Sequence, residues 1–225
     1  MTRGSKVFRA AILSGLVGLV GSGVVAQQGS SGKWITAWGT SQNGLGMMAL
    51  SNTTVRMIAR VTIAGDAVRI RLDNTYGTTP LVVGKAYVGQ TSRGAALVAG
   101  SDRQVMFGKA ADVTVPAAGS VTSDPVQMKV LTGQDLAVSL YIPEANVRPS
   151  QHGGAVVTSY MTANDSGDKT AEEAAMPFSR TTAAMFWLKA MKRKPVQMKA
   201  LIKNKIARNP SPPTAPSQVD RTEAP

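Results

Sequence analysis

From Trp34 to Leu188 apolar and polar positions alternate with a period of two, in short runs bounded by Gly, Asn, Asp and Pro. In "TVRMIARVTI" the side chains of Val55, Met57, Ala59, Val61 and Ile63 fall on one face, with Arg56, Arg60 and Thr62 on the other. Side chains alternate across a strand, so this run predicts a half-buried strand. After a turn at Ala64-Gly65-Asp66, "AVRIRLD" repeats the pattern with Val68, Ile70 and Leu72 inward and Arg69, Arg71 and Asp73 outward. The two runs read as a hairpin.

Further strands are expected at "LVVGKAYVGQ", "RQVMF", "DVTVP", "VQMKVL", "DLAVSLYIP", "GAVVTSYMT" and "AMFWL". "PAAGSVTSDP" reads as a turn region. In "DLAVSLYIP" the inward set is Leu136, Val138, Leu140 and Ile142, stopped by Pro143. In the closing strand Phe186 and Leu188 share one face and Trp187 takes the other. Short strands without a 3.6-residue period between them predict an all-β fold, a two-sheet β-sandwich of jelly-roll type, with a closed barrel as the alternative.

The pattern divides the chain into a leader at 1–26, a linker at 27–33, a β domain at 34–189 and a basic, Pro-rich tail at 190–225. Arg3, Lys6 and Arg9 precede the apolar run "AAILSGLVGLVGSGVVA", and Val24-Val25-Ala26 offers small side chains for cleavage after about Ala26. The run is close to the roughly 20 residues a bilayer span needs, so a retained anchor is the alternative, but its Gly and Ser content and the Gln-Gly-Ser that follows favour a removed signal peptide. A secreted or periplasmic location is expected. The chain has no cysteine, which excludes disulfides and thiol chemistry.

A net charge of +12 suggests nucleic acid until it is placed along the chain. Residues 27–189 hold 14 basic and 11 acidic side chains, whereas the leader and tail carry most of the excess. No nucleic-acid partner is therefore expected.

Candidate chemistry is sparse. The single histidine, His152 in "PSQHGGAVV", would have to serve any Ser-His-Asp site, yet the chain holds no Gly-x-Ser-x-Gly elbow, and a loop histidine ahead of a strand is expected. Asp165-Ser166 in "NDSGDKT" faintly resembles a Gly-Asp-Ser nucleophile block, but Asn164 stands in place of its glycine and the composition is that of a solvated turn. Asp66, Asp73, Asp102, Asp112, Asp124 and Asp135 lie near strand ends or turns, with no spacing that pairs two of them. Gly77 and Gly84-Lys85-Ala86 do not make a phosphate loop. Trp34, Trp38, Tyr76, Tyr87 and Tyr160 are candidates for a sugar-stacking platform, set against the commoner role of rings in a core. No cofactor and no metal site are expected.

The order "WITAWGTSQ", "TVRMIARVTIAGDAVRIRLDNTYGTTPLVVGKAYVG", "DLAVSLYIP", "HGGAVVTSYMT" and "TTAAMFWLKA" resembles the N-terminal half of bacterial secreted SGNH/GDSL-type esterases, over roughly residues 34–190. The most specific piece, residues 54–89, is similar to that family's Arg-x-x-x-Ser-Asn-x-x-Gly-x-x-Pro-Leu block, with Asp73 in place of the usual serine. The resemblance implies an accessory β domain of a serine ester hydrolase. It also implies a following α/β domain bearing Gly-Asp-Ser and Asp-x-x-His blocks, which do not occur in this chain, so no catalytic residue is carried over.

After Ala190 the sequence leaves the family pattern. Pro195 and the apolar Met198, Leu201, Ile202 and Ile206 among lysines suggest a basic amphipathic helix that contacts an anionic membrane or polymer; a disordered extension and a changed reading frame are the other readings, the last of them favoured. Three functions stay open: an esterase accessory domain without its own hydrolase activity, a free-standing module binding carbohydrate or cell-wall polymer, and an enzyme with an unrecognised carboxylate site.

Overall fold

The computed structural model describes residues 33–194. The leader, most of the linker and the expected amphipathic helix from Pro195 onward lie outside the described residues. Every regular element described is a strand, and the all-β class holds.

In chain order the strands are β1 (Ile35–Gly39), β2 (Gly44–Leu45), β3 (Thr53–Arg60), β4 (Gly65–Asp73), β5 (Leu81–Val83), β6 (Lys85–Arg93), β7 (Ala96–Leu97), β8 (Arg103–Val105) and β9 (Val113–Val115). They continue with β10 (Ser120–Thr122), β11 (Val126–Val130), β12 (Asp135–Ile142), β13 (Ser150–His152), β14 (Ser159–Met161), β15 (Arg180–Thr182), β16 (Met185–Phe186) and β17 (Leu188–Lys194). One sheet runs β1-β17-β4-β10, with β11 also on β4, and a larger one runs β15-β14-β3-β12-β6-β7, with β8 on β6. Two small sheets, β16-β13-β2 and β5-β9, complete the set among the described residues.

The predicted inward faces are correct in both arginine-rich strands. Val55, Met57, Ala59, Val61, Val68, Ile70 and Leu72 are buried in one core cluster, together with Leu136, Val138, Leu140 and Ile142 of β12. The expected hairpin is not. β3 pairs with β12 and β14, whereas β4 pairs with β17, β10 and β11, so the two lie in different sheets. Alternation fixes which face of a strand is apolar and says nothing about its hydrogen-bonded neighbour. The link between them is bonded elsewhere: the Val61 amide donates to the Gln134 carbonyl at 3.0 Å, and the Thr62 amide and hydroxyl both donate to the Ala37 carbonyl.

The end of the domain also differs from expectation. β17 continues through Lys194, with Met191 opposite both Ile70 and Trp38 and Arg193 opposite both Val68 and Ile35. Met191 and Arg193 are fully buried, so three of the cations assigned by sequence to a solvated tail, Lys192, Arg193 and Lys194, belong to a central strand. Gly65 permits this packing, since a Cβ there would sit 2.3 Å from the Lys194 carbonyl oxygen. Arg193 donates from Nη2 to the carbonyls of Gly65 and Met128, while its Nε and Nη1 have no acceptor among the described residues. Burial pulls its pKa down to about 10, with Asp66 acting in the opposite sense.

The expected closing strand is interrupted at Trp187, which lies between β16 and β17. Phe186, Trp187 and Leu188 are all buried, because the chain turns at Trp187, whose φ is 55°, and passes from β16 in one sheet to β17 in another. The Trp187 amide donates to the Ser150 carbonyl at 2.8 Å, and its own carbonyl accepts from the Asp73 amide at 2.7 Å. A positive φ in a bulky residue is costly and persists only where surrounding bonds impose it.

Candidate functional site

Two buried polar residues, Asp73 and Asn74, stand at the end of β4. Asp73, expected to point outward, is buried: it accepts from the amide and hydroxyl of Thr75 and pairs with the ammonium of Lys189 on β17. Burial by itself would raise its pKa; the bonds from Lys189 and Thr75 outweigh that and hold the carboxyl below its ordinary value. Asn74 donates to the carbonyls of Thr79 at 2.9 Å and Pro116 at 3.3 Å, and so gathers the following loop. Gly77 closes that turn, where a Cβ would meet the Asn74 side-chain oxygen at 2.0 Å.

This loop forms one wall of a cleft of about 610 Å³. Residues 77–82 face the segment 144–148, with Leu45, Asn74 and Trp187 between them. The second wall is held firmly: the Asn146 amide donates to Ser51 Oγ at 2.9 Å, Val147 and Leu50 exchange backbone bonds, and Arg148 Nε donates to the Gly46 carbonyl at 2.9 Å. Glu144 and Arg148 bring opposite charges to this wall, and Thr78 and Thr79 bring hydroxyls to the other. The Trp187 indole Nε1 is buried with no acceptor among the described residues. The volume lies in the range of small-ligand sites, and fixed polar groups on rigid walls are what orient a bound molecule.

A second polar assembly lies on the larger sheet, and periodicity alone would have left it facing water. Tyr87, Ser139, Arg56 and Tyr160 occupy one cross-strand row through β6, β12, β3 and β14. Arg56, expected outward and solvated, is fully buried. Its Nε donates to Ser139 Oγ at 2.8 Å, Nη1 to the Ala95 carbonyl at 2.6 Å and Nη2 to the Glu172 carbonyl at 2.6 Å. Its guanidinium stacks over the Phe178 ring at 3.9 Å. Residues 167–178 thus form a strap across this face, fastened also by the Thr54 hydroxyl to the Gly167 carbonyl at 3.0 Å and by Lys85 to Asp168 at 2.7 Å. Desolvation pulls Arg56 down to about 10, with Glu172 and Asp102 opposing the shift.

His152 ends β13 instead of lying in a loop ahead of a strand, and its Nδ1 bonds to the Ser41 carbonyl at 2.8 Å. Asp165 sits in the expected exposed turn with φ of 63°, its amide donating to the Ser51 carbonyl. The structure gives His152 no hydrogen bond to Asp165 or Ser166. Asp135 takes a bidentate bond from Arg60 and Asp124 accepts the Lys109 amide, so these carboxylates pair with donors and not with each other. Among the described residues no three His, Asp or Glu side chains are placed to hold a metal ion. The aromatic candidates disperse: Trp34 stacks under Arg69, Trp38 packs on the core, Tyr87 and Tyr160 lie in the row beside Arg56, and Tyr76 is 43% exposed on the cleft loop.

No protein-family model matches this chain, and no curated protein is significantly similar to it. Among the described residues no helix is long and apolar enough to cross a membrane.

Proposed function

We propose that residues 33–194 are an accessory, ligand-holding β domain of an exported ester hydrolase of the SGNH/GDSL type, with the two larger sheets packed as a jelly-roll sandwich. The observation that carries this reading is the cleft beside Trp187. Its lining holds hydroxyls, two side-chain amides, a carboxylate and a guanidinium, and includes neither a histidine nor a serine. Such a surface can orient a polar molecule and offers no serine–histidine pair. The resembling block supports the same reading, since Asp73, Asn74 and Gly77 shape one wall of the cleft.

A free-standing module for carbohydrate or cell-wall polymer is the second reading, favoured by the hydroxyl-rich and charge-balanced lining. Titration of the full chain with soluble cell-wall glycan fragments, followed by indole NMR signals, tests ligand holding in either setting. Saturable shifts of the Trp187 indole resonance that weaken in Arg148→Gln support it. Unchanged spectra with every fragment count against the cleft as a glycan site.

A further inference from the structure

Two methionine sulfurs project from one braced turn, and each has an arginine beside it. The turn after β2 is fixed at both ends: the Gly46 amide donates to the Pro149 carbonyl at 2.7 Å, and Leu50 exchanges backbone bonds with Val147. Between these ties Met47 is 89% exposed and Met48 is 36% exposed. Arg148 Nη2 lies 3.8 Å from Met47 Sδ, and Arg180 Nη2 lies 3.0 Å from Met48 Sδ. Met176 is comparably exposed, at 87%, and has no guanidinium contact among the described residues. Met57, Met128, Met161, Met185 and Met191 are buried.

A thioether is a weak acceptor, so an arginine gains little from it. A sulfoxide oxygen carries substantial negative charge and accepts strongly from a cation. We propose that Met47-Met48 is an oxidation site, at which a hydroperoxide converts the thioethers to sulfoxides that Arg148 and Arg180 then hold. In this step the sulfur lone pair attacks the terminal oxygen of the hydroperoxide. The O–O bond breaks, the S–O bond forms, and the hydroxyl proton passes to the departing alkoxide to give an alcohol, or water from hydrogen peroxide. Sulfur loses two electrons and the peroxide gains them.

The pair is distinguished from an ordinary exposed methionine by orientation. Sulfoxidation creates a chiral sulfur, and a fixed guanidinium favours the epimer whose oxygen points toward it. The consequence reaches the cleft, because Arg148 lines it and would be drawn to the oxidised Met47. This inference is independent of the functional reading above.

The test treats the folded full chain with dilute hydrogen peroxide, digests it, and resolves the sulfoxide epimers of each methionine peptide by chromatography and mass spectrometry. Met47, Met48 and Met176 are expected to gain one oxygen before the five buried methionines. At Met48 one epimer should exceed the other by at least about threefold, the scale of a modest charge-assisted preference, while Met176 stays near even. Arg180→Gln should level the Met48 epimers, Arg180→Lys should retain an excess, and Arg148→Gln should level any excess at Met47. Even epimers at Met48 in the parent chain, or an excess that survives Arg180→Gln, would overturn the proposal.

Discussion

Asp73 and Lys189 form an ion pair between the end of β4 and the last strand of the described fold, with the carboxylate buried and the ammonium at the edge of solvent. The same carboxylate fixes the Thr75 turn that opens the cleft loop. One side chain therefore joins the pairing of β17 to the shape of the candidate site.

Replacing Asp73 separates these two roles. Asp73→Ala is expected to cost about 2–3 kcal/mol, because it strands the Thr75 donors and removes the partner of Lys189. Asp73→Ser keeps an acceptor for the turn and should cost less than alanine. Urea unfolding of both variants measures the order, and equal losses would contradict it.

Acid should weaken the fold through three carboxylates held below their ordinary pKa of 3.8. At Asp135 the Arg60 bond is the main cause; at Asp73 and Asp168 burial opposes the shift, and the bonds from lysine and threonine prevail. A lowered folded pKa means that the stabilisation is complete above the unfolded value and is lost as pH falls through the folded values beneath it. Melting temperature should therefore hold down to about pH 4 and fall below it. Asp73→Asn should make that fall shallower.

The strap should depend on Arg56. Arg56→Ala removes donors to Ala95, Ser139 and Glu172 and empties the site over Phe178, at an expected cost of about 3 kcal/mol. Tryptic cleavage after Lys169, within the strap, should accelerate before global unfolding does. Arg56→Lys should restore little, since an ammonium cannot span the three acceptors in the plane of a guanidinium.

Leu140→Ala in β12 should destabilise by about 3 kcal/mol, as a fully buried leucine does when its cavity cannot collapse. Leu131→Ala, at a position 62% exposed, should fall within roughly 0.5 kcal/mol of the parent. A chain ended after Ala190 should lose the Met191 and Arg193 pairings on both sides of β17 and fail to give a cooperative melt, unlike one ended after Lys194.

The inward faces of β3, β4 and β12 were legible because apolar burial imposes a period of two on a strand whatever its neighbours are. Partner choice was not legible, and the β3–β4 hairpin was the result: a short polar link looks the same whether the chain folds back within a sheet or crosses to another. Arg56 and Asp73 fall on the outer face of the alternation, where a charge is normally solvated. Their burial depends on the strap at 167–178 and on β17, both distant in sequence. The last residues of β17 hide their burial for a related reason: Lys192-Arg193-Lys194 has the composition of a charged tail, and only the fold brings the Gly65 and Met128 carbonyls to Arg193. Short strands such as Ser120–Thr122, in a stretch read as turn, carry too few residues for a period to register. Of the candidate site, Asn74 and Gly77 are turn-forming residue types that mark a loop in the sequence, whereas the wall at 144–148 has no motif to announce it.

The central claim, that this domain holds a ligand and does not itself cleave esters, is tested most directly by the hydrolysis of p-nitrophenyl acetate by the purified full chain across pH 6 to 9. The account predicts no turnover above the buffer rate and an identical result for Ser166→Ala and His152→Ala. Enzyme-dependent turnover that disappears in either variant would contradict it.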